Sequence, residues 1–232
     1  MCYEEVACPR CSLLNVKKNG TTANNKQRYR CKDCRRQFIT SYSYRACQVA
    51  VRALVLPMTM NGSGIRDISR VLQISTNTVL KLIRKAAQRT AEPIVPKRIA
   101  SLEMDEFWSF VGKKKRQRWT WLAFDRHPKQ VAAYQNGRRT DRSCAALLGK
   151  LGNSRVTRFH TDKWKSYTKL LPAKRHSIGK EGTRHIERHN LNFRTHLKRL
   201  QRRTICFSKS DEMHDAVIKL YVQHSNQLQH HF

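Results

Sequence analysis

The sequence predicts an α+β chain of several domains: an N-terminal ribbon-like finger, a helix-turn-helix, and a mixed β-sheet with helices on both faces. Three observations predict this. Two Cys-x-x-Cys pairs fall within residues 1–42, a stretch of short extended pieces and turns. Residues 43–90 carry the apolar period of helices and few strand signals. From residue 100 to 232, strand patterns alternate with helical ones. Residues 91–99 read as a linker, because Pro93 and Pro96 each disfavour helix in the residue before them.

The finger comes first. Cys8 and Cys11 form one pair, Cys31 and Cys34 the other, and Cys31 lies 20 positions after Cys11. Each Cys-x-x-Cys turn can aim two thiolates at one point, so two of them complete a closed tetrahedral sulfur shell for Zn²⁺. Four protein ligands leave no open position, so this zinc is expected to be structural. A module of about 40 residues buries too little apolar surface to fold without such a staple. Two disulfides or unconnected buried thiols are the alternative; an intracellular chain disfavours the disulfides. Cys2, Cys47, Cys144 and Cys206 lack paired spacing and read as ordinary buried or partly buried thiols. The terminal His224, His230 and His231 read as part of a frayed end rather than a metal tract.

The helix-turn-helix follows a helix expected around residues 44–60. Ile65, Ile68, Val71 and Leu72 make one amphipathic helix, and Gln73–Ser75 a tight turn. Ser75 or Thr76 can cap a second helix whose Val79, Leu82, Ile83 and Ala86 form an apolar stripe. In such a pair the second helix enters the major groove of double-stranded DNA by its N-terminal residues. Asn77 and Thr78 are placed to address base edges, while Lys81, Arg84 and Lys85 suit phosphates.

Charge agrees with an anionic partner. The 232 residues hold 47 Lys and Arg against 16 Asp and Glu, a formal net charge of +31. Residues 1–92 carry 17 basic and 5 acidic side chains, and residues 93–232 carry 30 and 11, so the excess is no tail added to a neutral body. Nucleic acid is the expected partner, because Lys and Arg that neutralise phosphates release condensed counterions. No apolar run approaches the roughly 20 residues of a membrane span, and the first residues lack a signal-peptide pattern. The expectation is a cytoplasmic protein associated with the nucleoid, with no membrane partner.

In the third part the pattern predicts strands at 99–111, 118–125 and 130–135, a helix at 141–151, a strand at 155–160, a helix at 164–171, a short strand at 174–178 and a long helix at 184–203. That order is the order of a ribonuclease-H-like sheet. Acids are scarce here, which makes their positions informative. Asp105 sits inside an apolar strand, Asp162 directly after the fourth strand, and Glu187 in the first turn of the long helix. A carboxylate within a strand core is costly unless paired or metal-bound. Three converging carboxylates suit Mg²⁺ or Mn²⁺, whose ligands are hard oxygens. Local salt bridges for Asp105 and Glu187 are the competing account; Glu103, Glu106 and Asp125 are candidate decoys. Along the long helix, Ile186, Asn190, Phe193, Leu197 and Leu200 form a stripe expected to pack on the sheet. Arg188, Arg194, Lys198, Arg199, Arg202 and Arg203 make a positive rim beside Glu187, a bias that phosphate binding explains.

The segments CPRC…CKDC, MDEFWSFVGKKKRQRW, HTDKWKSYTKLL and IERHNLNFRTHLKRLQRRTICFSKS resemble, over nearly the whole chain, the bacterial insertion-sequence-one (IS1) family of transposases. The resemblance implies an Asp-Asp-Glu (DDE) enzyme that binds terminal inverted repeats through its finger and helix-turn-helix. It further implies metal-dependent 3′-end cleavage and strand transfer into target DNA. By motif, Asp105, Asp162 and Glu187 are the three acids, and Arg188 and Asn190 support catalysis or strand binding. Paired DNA ends would then require a homo-oligomer. The sequence departs from the family pattern at Lys163, where glycine usually precedes the tryptophan. Two alternatives remain at this level: a repressor using only the first two modules, and a metal-dependent nuclease without strand joining.

Overall fold

The computed structural model describes residues 5–228, so Cys2, His230 and His231 lie outside the described residues. The chain divides into two compact units, one reaching Arg52 and one beginning at Ala53.

The first unit is an antiparallel meander of β1 (Val16–Thr21), β2 (Gln27–Cys31) and β3 (Gln37–Ile39), with Tyr29 opposite Phe38. Its core is small: Cys8, Cys31 and Phe38, with Tyr29 stacked on Phe38. Beyond it come a 3-10 turn at Arg45–Cys47 and α1 (Val49–Ala53). The helix expected over residues 44–60 is therefore broken, and α2 (Val55–Met60) starts anew. Pro57 explains the break between the two helices. It has no N–H to bond the carbonyl of Ala53, and its ring crowds that group, whereas the first turn of a new helix accepts it. Cys47, expected to be at least partly buried, is exposed.

The second unit begins with α2, followed by α3 (Ile65–Leu72) and α4 (Thr76–Arg89), the last two at the bounds the periodicity predicts. Ile68, Leu72, Val79 and Ile83 are buried between them. Gln73 ends α3 in the left-handed region (φ 52°), and Ser75 caps α4 by accepting the Thr78 N–H at 3.1 Å. Residues 91–97 are irregular, as the prolines predict.

The sheet follows: β4 (Arg98–Phe110), β5 (Gln117–Asp125), β6 (Gln130–Gly137), β7 (Arg155–Thr161) and β8 (His176–Ile178), in the order β6-β5-β4-β7-β8. The first three are antiparallel; β7 is parallel to β4 and β8 to β7. The alternation of β4 decides its two faces. Leu102 and Met104 pack with Trp121 and Ala123 against α5 (Asp141–Leu151) and α6 (Lys165–Leu170). On the other face Phe107 meets Phe193 of α7 (Arg184–His196), with ring centroids 5.1 Å apart. Helices therefore cover both faces.

Two expectations fail here. The long helix ends at His196, not Arg203: Leu197 is extended, Lys198–Leu200 form a 3-10 turn, and Arg202 and Arg203 lie beyond it. Leu197 and Leu200 are buried as expected, but by leaving the helix axis. Secondly, an unexpected helix, α8 (Asp211–Leu228), packs on β6 and α4. His224 belongs to it and lies against Tyr221, so it is no frayed end.

Candidate active site and nucleic-acid interface

The carboxylates are brought together by strand register. In the parallel pair β4–β7 the last register pair is Glu103 opposite His160; Asp105 follows two residues further along β4 and Asp162 just past the end of β7, close enough for its charge to act on Asp105. Carboxyl ends of parallel strands are where α/β sheets open to ligands. Asp105 is mostly buried and its Oδ2 accepts the Asn190 amide at 2.7 Å. Burial, helped by the charges of Glu106 and Asp162, pushes its pKa up to about 7. Asp162 leaves the sheet in a turn, its Oδ1 accepting the Trp164 N–H at 2.9 Å. Lys163 at the middle of that turn is exposed and has no positive φ, so the turn does not require glycine there.

Glu187 is exposed on the first turn of α7, and its Oε1 accepts the Thr183 hydroxyl at 2.8 Å. It lies one helical turn before Asn190, the residue that touches Asp105. Neither Asp105 nor Glu187 forms a salt bridge among the described residues. The three acids do not bring their oxygens within 4.8 Å of one another; among the described residues only the four cysteines form so tight a ligand group. Asn190 adds a buried Oδ1 without a hydrogen-bond partner beside Asp105. Two neighbouring carboxylates and an unsatisfied neutral oxygen are a donor set that fits a divalent cation.

The cysteine set is compact. Cys8 Sγ lies 3.5 Å from Cys34 Sγ, and Cys11 Sγ lies 3.6 Å from Cys31 Sγ. Disulfide sulfurs would be about 2.0 Å apart, whereas the edge of a tetrahedral zinc–thiolate shell is about 3.8 Å. Both Cys-x-x-Cys turns close alike, since Ser12 and Arg35, each following the second cysteine, have φ of 59°.

Of the residues placed at DNA by the sequence, Asn77, Lys81 and Lys85 are exposed on α4 and Thr78 is half-buried. Arg84 instead turns towards α8, its Nε 3.5 Å from Glu212. Arg188, Arg202 and Arg203 are exposed; Arg194 and Lys198 are half-buried. Burial and the charge of Arg202 push the Arg194 pKa down, while Asp105 pulls it up. Arg199 donates to Ser208 Oγ at 3.0 Å and holds the loop before α8.

Residues 98–228 match the family model described as IS1 transposase, more than half of the chain. The chain belongs to the IS1 transposase family. Residues 42–86 of this transposase match the model of the InsA C-terminal domain, a helix-turn-helix, and residues 1–35 the InsA N-terminal zinc-ribbon domain. It is 46% identical over 121 residues to the insertion element iso-IS1n protein InsB of Shigella dysenteriae, covering 52% of this chain and 92% of that one. It is 47% identical over 124 residues to the insertion element IS1 2 protein InsB of Escherichia coli (strain K12), covering 53% and 74%. The family models agree with the finger, helix-turn-helix and ribonuclease-H-like sheet and indicate a DNA-binding transposase. The zinc-ribbon match and the four-cysteine geometry together point to a structural zinc. No described helix is long and apolar enough to cross a membrane.

The sequence reading of the transposase missed several supporting residues. Glu103, fully buried, accepts Arg126 Nε at 2.8 Å, His185 Nδ1 at 2.7 Å and the Ile186 N–H at 2.8 Å. It thereby anchors the start of α7. Glu106 points to the opposite face and binds Arg139 and Tyr167. In the sequence, only the strand alternation signals their two different roles.

Proposed function

We propose that this transposase binds the terminal inverted repeats of its insertion element, frees their 3′ ends by metal-dependent hydrolysis and joins them to target DNA. The observation that supports this best is the convergence of Asp105 on β4 with Asp162 just past the end of β7, under the helix that carries Glu187 and the Asn190 that touches Asp105. Asp105, Asp162 and Glu187 would hold Mg²⁺ or Mn²⁺, with Asn190 Oδ1 as a further oxygen beside them. When bound, such ions activate a water or a 3′-hydroxyl and stabilise the leaving oxygen of an in-line displacement.

The chain's own residues do the rest. Asn190 orients Asp105 through its amide, and the Trp164 N–H orients Asp162. Arg194, which feels the charge of Asp105, and Arg188, Lys198, Arg202 and Arg203 along the same segment add positive charge that draws a DNA backbone in. Asn77, Thr78, Lys81 and Lys85 on α4 approach the repeat, with base edges read at its start and phosphates held further along. Two ends must meet for insertion, so the working form is a homo-oligomer. Chromosomal DNA as target places the protein in the cytoplasm, at the nucleoid.

A Mg²⁺-dependent cleavage and joining assay on a repeat-end duplex tests the reading. Cut and joined products are expected from the native chain and none from Asp162→Asn. Cutting that survives the substitution removes Asp162 from the site, and cutting without joined products leaves a nuclease.

DNA contacts separate by salt. Arg202→Ala is expected to weaken binding about equally on all sequences and to lower the slope of affinity against salt by about one. Asn77→Ala is expected to change which repeat is preferred. A sequence-specific loss from Arg202→Ala would reverse these two roles.

A further inference from the structure

Asp162 belongs to no strand or helix. β7 ends at Thr161 and α6 begins at Lys165, so residues 162–164 make no ladder bonds. The carboxylate direction is therefore only as well defined as Trp164, whose N–H its Oδ1 accepts at 2.9 Å.

Trp164 is held from two sides. Its indole N–H donates to Ser166 Oγ at 3.1 Å, and Ser166 donates to Asp141 at 2.7 Å. Over its ring lies the Arg139 guanidinium, 3.6 Å from the ring centroid, with the Trp119 ring also in reach of that cation at 4.7 Å. Arg139 is itself tied down: its Nε and Nη2 lie 2.8 and 2.6 Å from Glu106 Oε1. Glu106 is 1% exposed at its side chain and takes the Tyr167 hydroxyl at 2.6 Å on its other oxygen. It directly follows Asp105 on β4. A continuous series of contacts thus runs from the residue beside Asp105, through Arg139 and Trp164, to Asp162.

We propose that Arg139 is a positioning residue for the carboxylate pair: anchored on Glu106 and stacked on Trp164, it holds the Asp162 turn in line with Asp105. This rests on the reading of Asp105 and Asp162 as metal-holding acids. A guanidinium suits the place because it can pair through a planar fork and present a flat face to an indole, which an ammonium cannot do.

Calorimetric titration of Mn²⁺ into the zinc-loaded full chain, without DNA, tests the proposal beside thermal melting and repeat-end binding. In Arg139→Lys the fold and the affinity for end DNA are expected to persist, while Mn²⁺ affinity falls about 10-fold or more, as for other residues that orient metal ligands. A folded Arg139→Lys with native Mn²⁺ affinity overturns it. Should that variant not fold, Trp164→Leu decides, since it breaks the stack and leaves the buried ion pair whole; the same loss is expected, and an unchanged affinity is fatal. Asp162→Asn separates the two levels. If it lowers Mn²⁺ affinity and the Arg139 and Trp164 variants do not, only the positioning role falls. If it changes nothing, the carboxylate reading falls and takes this one with it.

Discussion

Glu103→Ala is expected to destabilise the second unit by about 3 kcal/mol, read as the change in denaturant midpoint at constant slope. The side chain is fully buried, yet it carries three polar partners from two other segments of the chain: Arg126 at the β5–β6 turn, and His185 and the Ile186 N–H on α7. Removing it leaves Arg126 facing an apolar strand and the first turn of α7 without its acceptor. Arg126 and His185 are 30% and 46% exposed and can turn to water, which keeps the loss at the low end for a broken buried pair. The carboxylate also lies at the positive end of the α7 dipole. Arg126 donates as well to the Gly182 carbonyl at 2.8 Å, so the segment leading into α7 loosens too. A loss below about 1 kcal/mol would mean that α7 is held by Phe193 and Ile186 packing alone.

Stripping zinc is expected to have the larger local effect. The first unit has a core of two cysteines and one phenylalanine, with Tyr29 and a few half-buried neighbours. So small a core cannot offset chain entropy, whereas structural zinc binding contributes about 10–16 kcal/mol in finger peptides near neutral pH. With a strong chelator, amide protection over residues 16–39 should vanish while the sheet of the second unit stays protected. Affinity for repeat ends should fall at the same time. Protection of Tyr29 and Phe38 that survives chelation would show that the meander folds without metal. Cys31→Ser should reproduce the chelator's effect, because Cys31 is fully buried in that core.

Much was legible in the sequence because it is written in local chemistry. The spacing of Cys8, Cys11, Cys31 and Cys34 needs only two short turns to become a ligand set, and those turns form. The bounds of α3 and α4 followed from the apolar period of Ile65 to Leu72, the Gln73–Ser75 turn with its cap and the stripe from Val79 to Ala86, all short-range signals. Helix α7 was misjudged because its apolar stripe continues through Leu197 and Leu200 after the helix has ended. Burial of those two leucines could be met either by helix or by the 3-10 turn that forms, and periodicity does not separate the two. Helix α8 is not legible because the surfaces that cover its apolar face, β6, α4 and the Phe193 side of α7, come together only in the fold.

The sequence alone determined the three modules, the tetrad of thiols, the strand that holds Asp105 and the strand that Asp162 follows. Each depends on neighbours a few positions apart. Tertiary structure alone decided that Arg84 turns towards α8, that Glu103 anchors α7 while Glu106 grips Arg139, and that Asn190 meets Asp105. Those choices arise where segments distant along the chain are packed together, and a buried polar group must take whichever partner that packing brings within reach.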